Sequence, residues 1–510
     1  MPPGPPALHV PDTSRSLWIH TVHAPSFEPL RGDVEVDVAL VGGGIVGITT
    51  ARRLKAAGRR VAVIDARRVL EGTTGHTTAK LTAGHGLIYT YLQRHFGEEK
   101  ARQYAEASEW GIAEVERLAS ELGVDCDFER KTNVVYTEDK GEADKLRQEA
   151  DAARRVGLDA SFTEQLDLPY PVAGAAVVEG EAQYHPRKLL AATARGLPGD
   201  GSHVFEGSRV TSIHEGDRCE VRTAAGVVRS RHVVVATSMP ILYRGFHFAR
   251  AFPKRHYVLV GPAESMPEHM YISTESHPHS VRTVLDGDER LLLVAGESHP
   301  VGEETNTEER YGQLSRWAAE RLGLRDIRYR WSAQDWYSAD KVPLIGPISW
   351  LSRRTLVATG FGGWGMAPGI AASRLLTDLI LENKNPWASL YSPRRAKLAG
   401  LPKLTAENTK VGIHWTRDRI PRPARGVADL QPGEGGVVRS GGQRVAAYRD
   451  PGGTLHTVSP RCTHLGCEVA WNAAERSWDC ACHGSRFDVD GEVLNAPASS
   501  PLKKLDTSER

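Results

Sequence analysis

The sequence predicts an α/β domain built on a dinucleotide-binding βαβ unit, followed by a small all-β domain. Length is the first reason: 510 residues exceed the roughly 250–300 at which one hydrophobic core stops growing, so at least two domains are expected. The second is local. A β-rich apolar run at 36–41 leads at once into Gly42-Gly43-Gly44-Ile45-Val46-Gly47 and a helical stretch to Gly58, after which 61–64 forms the next strand and ends on Asp65. The third lies beyond Gly426, where short β runs at Val437-Val438 and 444–448 alternate with glycine-rich turns, as in a small antiparallel module.

Taken in order, residues 1–30 read as an irregular arm whose one apolar anchor is Ser16-Leu17-Trp18. The next segment is a complete dinucleotide fingerprint: strand, G-x-G-x-x-G, helix, strand and an acid 18 residues past the last glycine. Gly42 permits the tight turn, Gly44 lets backbone approach a pyrophosphate, and Gly47 lets helix and sheet close. Ile45 and Val46 open the helix whose N-terminus faces the anion, and Asp65 is placed for the adenosine ribose.

The stretch 71–82 is too hydroxyl-rich for core and too glycine-rich for a surface helix, so it reads as a wrap around a polar ligand. With the fingerprint before it, this half of the chain, about 16–390, resembles the D-amino-acid oxidase and glycine oxidase superfamily, most closely its bacterial amine-oxidising members. The resemblance implies a Rossmann-type FAD-binding fold with an antiparallel-sheet substrate subdomain, spanning 31–391. It lays FAD along Thr74, Gly75, His76, Thr77, Thr78, Ala79 and Lys80, and makes 233–237 the return strand beneath it. Val210 then supplies backbone to the adenine pocket. Periodicity makes 97–123, 139–157 and 186–197 scaffold helices; 206–221 and 226–236 read as strands. Strand patterns at 257–260 and 291–294 match the superfamily's substrate-side sheet, within about 241–335.

A second G-x-G-x-x-G, at Gly360, Gly362 and Gly365, follows a strand at 355–359 and precedes a helix at 368–381. Nicotinamide binding is rejected there, because Asn383-Lys384-Asn385-Pro386 breaks the chain where a strand ending in an acid belongs. The segment instead resembles the superfamily's closing FAD element, which assigns Gly360, Gly362, Gly363, Gly365 and Met366 to the flavin. Residues 392–425 are Arg/Lys/Pro-rich and read as a linker, with Arg394, Arg395 and Lys397 as a solvated face. Separate cores joined by such a linker predict that replacing a cluster ligand such as Cys462 or His483 abolishes the cluster but leaves FAD bound.

Cys462-Thr463-His464-Leu465-Gly466-Cys467 and Cys480-Ala481-Cys482-His483-Gly484-Ser485-Arg486-Phe487 each offer a thiolate and an imidazole. Structural zinc more often takes paired cysteines from one arm and paired histidines from the other, so zinc is the weaker reading. Two cysteines and two histidines make the ligand count of a [2Fe–2S] centre in which imidazoles replace two thiolates. Over about the last eighty-five residues, 426–510, the chain resembles the Rieske proteins of respiratory and photosynthetic cytochrome complexes. By position the resemblance makes Cys462, His464, Cys480 and His483 ligands and Cys467–Cys482 a disulfide. It has Ser485 hydrogen-bond a bridging sulfide and makes 495–498 the proline loop over the cluster. Phe487 stands where high-potential members carry Tyr, which implies a lower potential.

Lys+Arg 64 against Asp+Glu 63 gives a net charge of +1, which supplies no field for nucleic acid. The proline-rich first residues lack a secretory pattern and no run of about eighteen apolar residues occurs, so no membrane insertion and a cytoplasmic location are expected. Together the resemblances imply an enzyme oxidising a C–N bond of an amine or amino acid, with FAD passing electrons singly through the [2Fe–2S] cluster to an external acceptor. His76, Lys80 (as a cation) and Trp364 are its candidate catalytic residues, and Trp331, Trp336 and Tyr337 further pocket aromatics. A relay or sensor without a small substrate, and reverse flow from a reductase, are the alternatives.

Overall fold

The computed structural model describes residues 8–304, 306–395, 400–417 and 425–505. At its centre the strand Val38–Val41 is buried at every position, as an all-apolar run must be when both faces of a parallel sheet are covered. It pairs in parallel with Val61–Ile64 and with His232–Val235. The six-stranded sheet is completed by His203–Phe205 on one edge and by Thr355–Thr359 and Leu344–Pro347 on the other. Helices Ile45–Ala56 and Met366–Ile380 pack together against it.

A nine-stranded sheet runs from Tyr329–Ser338 through Ala251–Gly261 and Glu289–Pro300 to Gly174–Gln183 and Lys80–Leu81. One face packs on helix Thr307–Leu322 through Tyr311 and Leu314. The other packs on Leu17, Trp18 and Ala79. The arm expected to be irregular therefore holds a helix, Leu17–Thr21, with Leu17 and Trp18 fully buried. Its Ser16 hydroxyl donates to Gly75 O at 2.6 Å and its Trp18 indole to Thr77 O at 2.7 Å; it braces the 73–78 segment. Residues 1–7 of that arm lie outside the described residues. The two strands expected over 206–236 are four. Val210–Glu215, Cys219–Thr223 and Val227–Ser230 form a small sheet with Val34–Glu35, and only His232–Val235 joins the large one.

The stretch 392–425 contains a helix, Leu401–Arg417, anchored where Asn408 Nδ2 donates to Ala249 O at 2.9 Å. Arg394 and Arg395 do not form a solvated face. Arg395 grips Asp340 through two 2.8 Å bonds with its side chain 5% exposed, and Arg394 donates to the carbonyls of Ser349 and Ser352. Lys397 and 418–424 lie outside the described residues.

The C-terminal domain stacks a three-stranded sheet, Gly435–Ser440, Gln443–Arg449 and Leu455–Val458, beside a four-stranded one, Val469–Asn472, Ser477–Cys480, Arg486–Phe487 and Val493–Asn495. It has its own core around Trp478 and Phe487, yet it is docked rather than tethered. Ala474 is buried in the core beneath the nine-stranded sheet. Tyr311 donates to Glu475 at 3.0 Å, Arg255 lies 3.9 Å from the same carboxylate, and Gln334 Nε2 donates to Gly484 O at 2.7 Å. Among the described residues no helix is long and apolar enough to cross a membrane.

Candidate functional site

A cleft of about 1330 Å³, counting the open space at its mouth, follows the carboxyl ends of the central strands, where open α/β sheets bind ligands. Gly42, Gly44, Ile45, Val46, Asp65, Thr74, Val210, Gly365 and Met366 all line it. Gly42 has φ +106°, and a Cβ there would sit 2.5 Å from Ala236 O; only glycine suits both constraints. Asp65 accepts the Gly43 N–H at 2.7 Å and Thr74 Oγ1 accepts that of Ile45 at 3.0 Å, which ties the second strand and the 73–76 turn to the glycine loop. A Cβ on Gly44 would project into this cleft and meet Thr74 Oγ1 at 3.2 Å. Gly44 has an ordinary backbone (φ −84°), so Gly44→Val is expected to fold but to purify without flavin, as flavin absorbance of the folded protein would show.

Not every expected residue lines the cleft. His76 Nδ1 lies 2.9 Å from Gly72 O, and burial lowers its pKa. Lys80 is buried and donates to Tyr271 O at 2.6 Å. Burial, reinforced by Arg282, pushes its pKa well below lysine's ordinary value, which weakens the charged form expected at this position. Gly75, Thr77, Thr78 and Ala79 form the stretch braced by the arm, outside the cleft lining. Of the closing element, Gly360, Gly362 and Gly363 have positive φ and shape the turn, while Phe361 faces the cleft. Trp364 stacks on His85 at 4.7 Å. Trp331 and Trp336 are fully buried in packed cores rather than lining a pocket, and Tyr337 hydrogen-bonds His256 at 2.7 Å.

Sequence reasoning passed over Asp335. It lines the cleft, and its carboxylate accepts the N–H groups of Gly363 at 2.6 Å and Trp336 at 2.8 Å, holding the closing glycine turn. Burial raises its pKa to about 6. A single acid inside a strand pattern carries no spacing signal that could have marked it. Arg209, Ser238 and residues 493–496, 498 and 499 of the C-terminal domain also line the cleft without having been expected.

The second site lies where the two arms meet. His464 and His483 are buried with rings 4.9 Å apart and nearly perpendicular, and the Nδ1 atom of each is buried with no hydrogen-bond partner. Buried orphan nitrogens are costly unless something binds them. Burial lowers the two imidazoles to about 4 and about 3, so both are neutral, as metal ligands must be. Cys462 and Cys480 are buried free thiols that hydrogen-bond each other, and the bond from Cys480 draws Cys462 down to about 7. Cys467 and Cys482 form a disulfide with Cα atoms 6.5 Å apart. Two thiols and two unpartnered imidazole nitrogens fit a [2Fe–2S] cluster of Rieske type. Ser485 is fully buried, hydrogen-bonds Cys462 and accepts the Ala498 N–H at 3.0 Å. Ser485→Ala is expected to lower the cluster potential by on the order of tens of millivolts, because hydrogen bonds to ligand sulfur stabilise the more negative reduced state; film voltammetry would show the shift. Phe487, fully buried in the same core as Cys462 and Cys480, supplies no such bond.

The histidine face is covered by the first domain. Tyr243 stacks on His464 at 5.2 Å and donates to its carbonyl, and Phe248 sets its edge against both histidines at 5.0 Å.

The family model for FAD dependent oxidoreductases matches residues 37–379, and that for the Rieske [2Fe-2S] domain matches 422–506. A Rieske 2Fe-2S iron-sulfur protein of Bacillus subtilis, YhfW, is 38% identical over 504 residues, covering 98% of either chain. The gamma-glutamylputrescine oxidoreductase of Escherichia coli is 25% identical over 77% of this chain and 95% of its own. Glycine oxidase from Geobacillus kaustophilus shares the fold, with a TM-score of 0.59 at 19% identity over 71% of this chain and 99% of that one. The chain belongs to the FAD dependent oxidoreductase family and carries, in the same polypeptide, a Rieske [2Fe-2S] domain.

Proposed function

We propose that this enzyme oxidises a C–N bond of an amine or amino acid at FAD and delivers the electrons one at a time, through the Rieske cluster, to an external acceptor in the cytoplasm. When bound, FAD takes two electrons as a hydride, and the cluster passes them singly. The observation that carries the passage of electrons between FAD and cluster is the strand Tyr329–Ser338, because it is the partition between the two sites. Side chains alternate along a strand: Asp335 lines the cleft, whereas Gln334 binds the cluster loop at Gly484 and Trp336 packs with Phe248, whose own ring meets both histidines. A second bridge runs from Cys462 to Ser485 to Ala498, and Ala498 lines the cleft.

The similarity to gamma-glutamylputrescine oxidoreductase supports the amine class. The chain's own residues position rather than react: Asp335 holds the turn at Gly363, and Thr74 and Asp65 hold the glycine loop. Tyr243, Phe246 and Leu465 remain exposed beside His464 and leave an apolar approach for the acceptor. Anaerobic mixing of the holoprotein with a panel of amines and amino acids tests the reading. Flavin bleaching followed by the electron paramagnetic signal of the reduced cluster is expected with one of them. A flavin that stays oxidised across the panel, or a cluster that stays oxidised beside reduced flavin, would refute it.

A further inference from the structure

The chain 493–499 has one cofactor site on each side. Toward the first domain Leu494, Asn495, Ala496, Ala498 and Ser499 line the FAD cleft together with Gly43 and Thr237. Arg209, itself in the cleft lining, donates to Val493 O at 2.9 Å and clamps the start of the segment to the first domain. Toward the cluster the same segment hangs on both ligand loops. Ser485 accepts the Ala498 N–H at 3.0 Å, Arg486 donates to Asn495 Oδ1 at 3.1 Å, and Thr463 of the other arm donates to Ser500 O at 2.6 Å.

Docking around this wall is tight. A Cβ on Gly484 would lie 2.6 Å from Pro253, and one on Gly302 would lie 2.5 Å from Ala481 N, so the two backbones approach as closely as glycine allows. The sequence predicts that FAD stays when the cluster is lost, and this shared segment argues for the opposite. We infer that residues 493–499 are a wall common to both sites, so that FAD binding and cluster retention are coupled, each cofactor holding the other's pocket closed.

The physical route is short. Without the cluster, Cys462, His464, Cys480 and His483 lose their common anchor, the loops bearing Thr463 and Ser485 relax, and the wall bonded to them loosens. Apolar and polar contact to FAD is then lost on that side. Coupling between two binding free energies is reciprocal, so FAD must tighten cluster binding by the same factor by which the cluster tightens FAD binding.

The first test uses the natural protein: iron release to a chelator is timed in the holoprotein and after FAD has been stripped. Stripping is expected to speed release by about tenfold, within the 5–150-fold range typical of such coupling. Equal rates would overturn the inference. Glu475→Ala removes the carboxylate that holds Tyr311 and Arg255 across the interface and touches neither cofactor, so in that variant the two release rates should converge; a tenfold difference that persists would show an effect not carried by docking. The reciprocal arm is the FAD dissociation constant of cluster-free Cys462→Ser, expected to be about tenfold weaker than that of the holoprotein, with unchanged affinity counting against the wall. Should Cys462→Ser not fold, Glu475→Ala replaces it in this arm with the same expectation.

Discussion

Gly47→Val is expected to yield protein with no flavin and a badly weakened first domain. A Cβ at this position would lie 1.9 Å from Gly42 O and 3.1 Å from Gly42 C. The obstacle is backbone, not the end of a flexible side chain, so the helix Ile45–Ala56 must lift away from the strand Val38–Val41. Lifting it exposes Ile48, Ala51 and Leu54, all of which are fully buried, and turns the helix N-terminus away from the pyrophosphate. Overpacking a core commonly costs about 1–3 kcal/mol, and a clash with fixed backbone belongs at or above the top of that range. Gly44→Val differs because its side chain fills the ligand's space rather than the protein's. Flavin content and thermal unfolding measured together separate the two: Gly44→Val loses flavin alone, Gly47→Val loses both. Flavin-replete Gly47→Val would mean that the helix does not close on this loop.

His483→Ala is expected to abolish the cluster, with iron, labile sulfide and the paramagnetic signal of the reduced centre all absent. Removing this imidazole leaves His464 Nδ1 as a lone buried nitrogen and three ligands where four are needed. The domain itself should remain folded. The Cys467–Cys482 disulfide, spanning 15 residues, still ties the two arms, and closing a loop of that length is worth about 3 kcal/mol. Trp478 and Phe487, both fully buried, keep the core beneath. Iron content and a cooperative unfolding transition would be read on one preparation. Retention of two irons would show that His483 is not a ligand, and an unfolded domain would show that the metal rather than the core holds it.

Both cofactors are legible in the sequence because each is written in short range. The turn at 42–47 and its acid at 65 encode backbone geometry that only glycine can supply, at a spacing set by one βαβ unit. The two arms at 462–487 encode ligand chemistry, and few residue types can bind iron. Helices with strong periodicity, such as Glu98–Leu122 and Ala143–Arg155, are legible for the same reason, since their pattern repeats within a single element.

What only the tertiary structure decided lies between segments hundreds of residues apart. Nothing local to Tyr243 or Phe248 announces that they cap His464 and His483, and nothing in 493–499 announces a wall of a cleft whose glycine loop lies at 42–47. Asp335 gains its role only when the strand Tyr329–Ser338 is set against the turn at Gly363. Leu17 and Trp18 look like a stray anchor until the nine-stranded sheet offers them a face. Lys80 has the ordinary lysine pKa in sequence, and burial beside Arg282 pushes it well down in the fold. A residue's chemistry and its neighbours in the chain determine which cofactors this protein takes. How the two sites face each other depends on docking, which is summed from many weak contacts across the interface, and no stretch of sequence carries that sum by itself.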